Sequence, residues 1–156
     1  MKIRLIAVGP RQPDWVQQAY TEYAGRLPRE CSLELQELAL APRSKKPDPK
    51  RAMADEAQRI GKAIIGGSRV VALDERGQAW STVQLSKRLA DWLAGGQDLS
   101  LLIGGPDGLA PALREQADER WCLSPLTLPH GMVRVLTAEA LYRAWSLLNN
   151  HPYHRA

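Results

Sequence analysis

Five short apolar runs alternate with five helical segments along this chain, and that order leaves few folds open. Residues 3–8 form a continuous apolar run that reads as a buried strand, broken by Gly9-Pro10-Arg11-Gln12-Pro13. Pro13 and Asp14 open a helix on which Trp15, Ala19, Tyr23 and Leu27 recur every four residues as the expected apolar face, and Pro28 stops it. Leu33 and Leu35 alternate with Glu34 and Gln36, as in a half-exposed strand. Asp48 then caps a helix with Pro49 at its first position, and Met53, Ala57, Ile60 and Ile64 mark its expected buried side up to Gly66-Gly67. Residues 69–74 are a third strand, after which Arg76-Gly77 is expected to turn the chain.

Ser81 and Gln84 predict a capping box for a helix carried by Leu85, Leu89, Trp92 and Leu93, with Trp80 stapled onto Leu85 and Gly95-Gly96 as its end. Leu99-Ser100-Leu101-Leu102-Ile103 is the fourth strand. Pro111 starts a helix behind Ala110, a poor cap, and Trp121-Cys122-Leu123 is the last strand. Gly131 then puts a flexible residue before a final helix at about residues 133–148, with Val133, Leu136, Ala140, Ala144 and Leu147 on one side. Alternation of this kind predicts an α/β fold, a mostly parallel sheet with helices on both faces. No linker interrupts it, so residues 1–156 are expected to form one domain.

The totals fit that reading. A hydrophobic share of 44% and a charged share of 24% are those of a globular domain. No segment reaches membrane-spanning length, and the apolar stretch after Met1 is too short for a signal peptide and is interrupted by Arg4. Cys31 and Cys122 form no motif, so they are expected to be reduced structural thiols in a cytoplasmic protein. The net charge of +4 is matched by one segment alone, where Arg43, Lys45, Lys46, Lys50 and Arg51 stand against Asp48. A concentrated basic loop suits a polyanion such as nucleic acid, and serves equally as a solvated loop that keeps the protein soluble.

The chemistry-bearing feature is the turn Gly104-Gly105-Pro106-Asp107-Gly108 directly after the fourth strand. Residues without a Cβ let backbone pass close to a ligand, and ligands of open α/β sheets sit at the carboxyl ends of strands. The spacing of a dinucleotide fingerprint and the Gly-Lys-Ser/Thr of a P-loop are both absent. The turn alone is also compatible with a plain tight turn.

Taken together, Leu101-Leu102-Ile103-Gly104-Gly105-Pro106-Asp107-Gly108, Leu126-Thr127-Leu128-Pro129-His130, Arg134-Val135-Leu136, Glu139-Ala140-Leu141-Tyr142-Arg143-Ala144-Trp145 and Asn150-His151-Pro152-Tyr153-His154-Arg155 resemble the RlmH family. These are SPOUT-class pseudouridine N3-methyltransferases of the large ribosomal subunit, and the resemblance spans the whole chain. It implies an α/β fold whose C-terminal part is threaded into a trefoil knot, a homodimer, and S-adenosylmethionine as methyl donor. It implies N3 of a pseudouridine in helix 69 of 23S rRNA as acceptor. Carried over by motif, the cofactor loops are Leu73, Gly104 and Gly105, and Leu123, Ser124, Pro125, Leu126, Thr127 and Leu128. Small and apolar residues with free backbone groups suit an adenine ring in an apolar slot. Without the resemblance, Leu126 and Leu128 read as ordinary core.

Methyl transfer from a sulfonium needs an aligned nucleophile more than covalent help. The pseudouridine N3 is a weakly acidic imide nitrogen, so a base, or a cation that stabilises the imide anion, assists it. The tail offers His154 to accept the proton, Arg155 or Arg143 to stabilise charge or hold a phosphate, and Tyr153 to stack on the base. A tail that only binds RNA, or only closes the dimer, is the alternative role. No ligand spacing completes a metal site around His130, His151 and His154, so no metal is expected. Two rival functions remain open at this level. A non-enzymatic ribosome-assembly factor would not need paired cofactor-like loops, and a small-molecule enzyme would not need the basic segment.

Overall fold

The computed structural model describes residues 1–41 and 48–154. Five strands, β1 (Lys2–Val8), β2 (Ser32–Leu38), β3 (Arg69–Ala79), β4 (Leu99–Ile103) and β5 (Glu119–Cys122), form one sheet in the order β2-β1-β4-β3-β5. Every pairing is parallel. The helices between them are α1 (Asp14–Ala24), α2 (Pro49–Ala63), α3 (Thr82–Gly95), α4 (Pro111–Gln116) and α5 (His130–Leu148). Single 3₁₀ turns at Arg29–Cys31 and Pro152–His154 were not expected from the sequence.

Strand periodicity sorts the core into two layers. Ile3, Leu5, Leu99, Leu101 and Ile103 point to one face, where α1, α3 and α5 cover them. Ile6, Val8, Ala72 and Leu102 point to the other, beside Ile60 of α2 and Leu113 of α4. A parallel sheet buried on both faces reads as continuous apolar runs, as β1 and β4 do. The helix ends follow from local chemistry. Asp48 Oδ1 accepts the Arg51 N–H at 3.2 Å with Pro49 at the first helical position. Ser81 and Gln84 close a reciprocal capping box, at 3.1 and 2.9 Å, and Gly96 ends α3 in the left-handed conformation at φ 70°.

Five expectations are corrected. The turn at Arg76-Gly77 is an outward bulge within β3, which pairs with β5 through Leu73, loses register, and resumes at Gln78. Gly77 permits this, because a Cβ there would lie 2.6 Å from the Arg120 carbonyl carbon. The buried face of α1 is Val16 and Tyr20, while Trp15 is 58% exposed. In α2 the buried residues are Ala52, Glu56 and Ile60, so its inner face is turned by one position from the expected one. In α5, Val133, Leu136, Ala140 and Leu147 are only half-buried, and of the expected stripe Ala144 alone is fully inside. The helix begins at His130, so Gly131 lies within its first turn. A Cβ on Gly131 would sit 2.6 Å from Gln12 Oε1 and 3.2 Å from Val16, which makes this glycine a point of close approach to α1.

Candidate active site

The strand order sets the carboxyl ends of β3, β4 and β5 side by side, and a cleft of about 590 Å³ opens there. Leu73 ends the first paired stretch of β3, Ile103 ends β4, and Trp121 comes from β5. The glycine turn forms one wall. Gly108 donates its N–H to the Gly105 carbonyl at 2.9 Å and adopts φ 81°, which closes the turn on itself. Gly104 lies so close to the returning strand of the turn that a Cβ would be 2.5 Å from the Gly108 carbonyl carbon. Below the turn, a Cβ on Gly105 would lie 2.8 Å from Oε2 of the buried Glu56. Glu56 Oε1 also accepts the Ala41 N–H at 3.3 Å.

The opposite wall is the segment after β5. Ser124 folds it, its hydroxyl accepting the Leu126 N–H at 2.9 Å and its carbonyl accepting the Cys122 thiol at 3.1 Å. Leu123, Ser124, Leu126, Thr127 and Leu128 line the cleft, together with Leu73, Gly104 and Gly105, whereas Pro125 does not. Leu126 is 71% exposed at the lip of the cleft.

Asp74, Arg114 and His130 are among the cleft residues that were not singled out from the sequence as cofactor contacts. His130 opens α5 and joins a buried polar chain. Arg134, 1% exposed, donates from Nε to His130 Nε2 at 3.0 Å and from Nη1 to Glu37 Oε1 at 3.0 Å. With Nε2 accepting, the imidazole proton is on Nδ1, the tautomer that can donate to the Gly104 carbonyl. Burial, and next the Arg134 charge, push the His130 pKa below its ordinary value, against the opposing pull of Glu37 and the Gly104 hydrogen bond. A neutral histidine thus links β2, α5 and the glycine turn. The only sequence signal was its place directly after Leu128-Pro129.

The tail is held elsewhere. Tyr153 donates its hydroxyl to Glu139 Oε1 at 3.0 Å and packs on Tyr142 with ring centroids 4.6 Å apart. Arg143 pairs with the same oxygen of Glu139 at 2.7 Å and lies over the Tyr153 ring. Arg26 caps this aromatic group, its guanidinium 5.1 Å from the Tyr23 ring and 5.6 Å from the Tyr153 ring. His154 Nδ1 is buried without a hydrogen-bond partner. None of Arg143, Tyr153 and His154 lines the cleft, so one chain does not bring its tail to its own cleft. Arg155 and the basic residues Arg43, Lys45 and Lys46 lie outside the described residues. Lys50 and Arg51 are exposed on the first turn of α2, from which Met53 reaches the cleft.

A family model described as "Predicted SPOUT methyltransferase" matches residues 1–154. The chain belongs to the SPOUT methyltransferase family. Among its relatives, one from Nitrosococcus oceani is 57% identical over 156 residues, covering 100% of this chain and 99% of the relative. One from Alkalilimnicola ehrlichii is also 57% identical, with 100% of both chains covered. Both carry the name "Ribosomal RNA large subunit methyltransferase H". Among solved structures, "a probable methylase family protein from Haemophilus influenzae" aligns with a TM-score of 0.54 at 15% identity, over 97% of this chain and 69% of that one. That likeness concerns the fold alone.

Proposed function

We propose that this SPOUT methyltransferase methylates 23S rRNA of the large ribosomal subunit, using S-adenosylmethionine. The acceptor in this reading is N3 of a pseudouridine in helix 69, and the substrate is the assembled ribosome. The observation that carries it is the glycine-walled cleft at the carboxyl ends of β3, β4 and β5. End-to-end similarity to relatives named for that RNA directs the choice of substrate.

The residues fit such a donor. Gly104 and Gly105 let the turn fold tightly against Gly108 and Glu56 along the cleft wall, and Leu73, Leu123 and Leu128 give an apolar slot of nucleoside scale. When bound, S-adenosylmethionine supplies an electrophilic methyl group on its sulfonium. This chain's own tasks are then orientation and proton handling. His154, whose buried Nδ1 has no hydrogen-bond partner within its own chain, takes the N3 proton in this reading. Arg143 supplies positive charge near the developing anion while Glu139 fixes its direction. Tyr153, tied to Glu139, sets where the tail's last turn lies. Arg155, together with the basic segment Arg43, Lys45, Lys46, Lys50 and Arg51, holds phosphates.

Because the tail stands apart from its own cleft, the working unit is a homodimer in which one copy's tail completes the other's cleft. This reading also carries a knotted C-terminal threading and a cytoplasmic location. The direct test is transfer of labelled methyl from S-adenosylmethionine to ribosomes lacking the modification, with the base identified by mass spectrometry. Label on the pseudouridine N3 is the expected result. Label on another nucleotide, or comparable labelling of an isolated hairpin, would overturn the acceptor or the whole-ribosome part of the reading.

A further inference from the structure

One wall of the cleft carries an unsettled pair of opposite charges. Asp74 stands where β3 leaves register with β5, and Arg114 comes from α4. Both line the cleft, with side chains 11% and 22% exposed. Their closest approach, Arg114 Nη1 to Asp74 Oδ2, is 3.7 Å, beyond the range of about 2.7–2.9 Å for a charge-assisted hydrogen bond. Asp74 Oδ1 is occupied by the Arg76 N–H at 3.1 Å, but Oδ2 is buried with no hydrogen-bond partner, and so is Arg114 Nε. Buried polar atoms are normally satisfied, so this pair has one acceptor and one donor still to fill.

We propose that Asp74 and Arg114 receive the amino-acid end of the methyl donor, Asp74 taking its α-ammonium and Arg114 its α-carboxylate. The assignment rests on the methyl-donor reading above. Two opposite charges held apart on separate elements match a group that bears both signs on one carbon. Each donor charge then meets its complement, and the fork of the guanidinium suits a carboxylate. Leu73, Ile103, Leu123 and Leu128 give the cleft its apolar lining. Glu75, Arg76 and Asp107 line it as well, but Asp74 and Arg114 are the charged lining residues with a buried, unfilled atom each, which suits the charged end of an otherwise nucleoside-like molecule. Loop and bulge geometry then have a purpose: the β3 excursion after Leu73 is what sets Asp74 on the cleft wall.

The test compares two nucleosides by calorimetry on the full chain. S-adenosylhomocysteine carries the amino-acid end, and 5′-methylthioadenosine ends in a methyl group instead. Wild type is expected to favour the first by about tenfold or more, the scale of hydrogen bonds to charged groups. Arg114→Met and Asp74→Asn are expected to bring that preference close to one while leaving 5′-methylthioadenosine affinity within about twofold, and Arg114→Lys to restore part of it. If both variants keep the wild-type preference, or lose both nucleosides in parallel, the pair only shapes the cleft and the assignment falls. If wild type binds both equally, the assignment falls and the donor reading stands. If wild type binds neither, the donor reading itself fails and takes the assignment with it.

Discussion

His130 shows how one side chain ties the cleft to the rest of the molecule. Its ring accepts from buried Arg134 at 3.0 Å and has Gly104 as backbone partner on the other side, so protonation would set a cation against the Arg134 guanidinium. Its pKa in the fold lies below the ordinary 6.5, with burial as the leading cause. Between those two values the unfolded chain binds more protons than the folded one, so stability rises with pH across that window. Above 6.5 the contribution is complete, and below the folded value it is fully lost. His130→Gln keeps an acceptor for Arg134 but does not titrate. Denaturant unfolding at several pH values should show the wild-type slope below 6.5 flattened in the variant. An unchanged slope would assign the pH response to groups other than His130.

The capped helix starts of α2 and α3 were legible in the sequence, as was the buried face of α3 at Leu85, Leu89 and Trp92, whereas the faces of α1, α2 and α5 were not. Caps are local: Ser81 with Gln84, and Asp48 with Pro49, name their helix starts without reference to the rest of the fold. Ser81→Ala should therefore lower the unfolding free energy by about 1 kcal/mol, with the cleft and its ligand affinity unchanged. A near-zero effect would mean that α3 is fixed by its packing on α5 alone. Faces depend on what lies opposite. On α2, Glu56 is buried because Ala41 and the glycine turn surround its carboxylate, and no apolar period announces that. On α1, Trp15 matched a four-residue rhythm, but Val16 and Tyr20 are the residues turned to the sheet. The glycine turn was legible as a candidate because it ends a strand that periodicity had already placed. The 123–128 segment was chosen on the family resemblance, since periodicity alone reads Leu126 and Leu128 as core, and both segments lie along the cleft. Asp74 and Arg114 were not, since a lone acid after a strand and a lone arginine on a six-residue helix have ordinary surface readings.

At the scale of the whole molecule, α5 is apolar on more sides than one chain can cover. Its inner side packs on α1 and α3, yet Leu136 and Leu147 stay only half-buried and are not part of the core cluster. A helix that is hydrophobic nearly all round belongs in an interior, and a second copy would supply one. The separation between the tail and its own cleft points the same way. The composite site predicts complementation between two inactive variants. Thr127→Trp covers the cleft from an exposed position, and His154→Ala removes the proposed base, so neither substitution should disturb folding. Each variant alone should show little methyl transfer. Unfolded together and refolded as an equal mixture, half the dimers should be mixed, and each mixed dimer should contain one intact cleft facing one intact tail. Activity should then return to about a quarter of the wild-type value per site, the share of intact pairs expected from random pairing of two subunits. Rescue at that level requires the tail to act across the dimer. With no rescue, and mixed dimers verified by native mass spectrometry, each tail would have to serve its own cleft by a movement of the last helical turn.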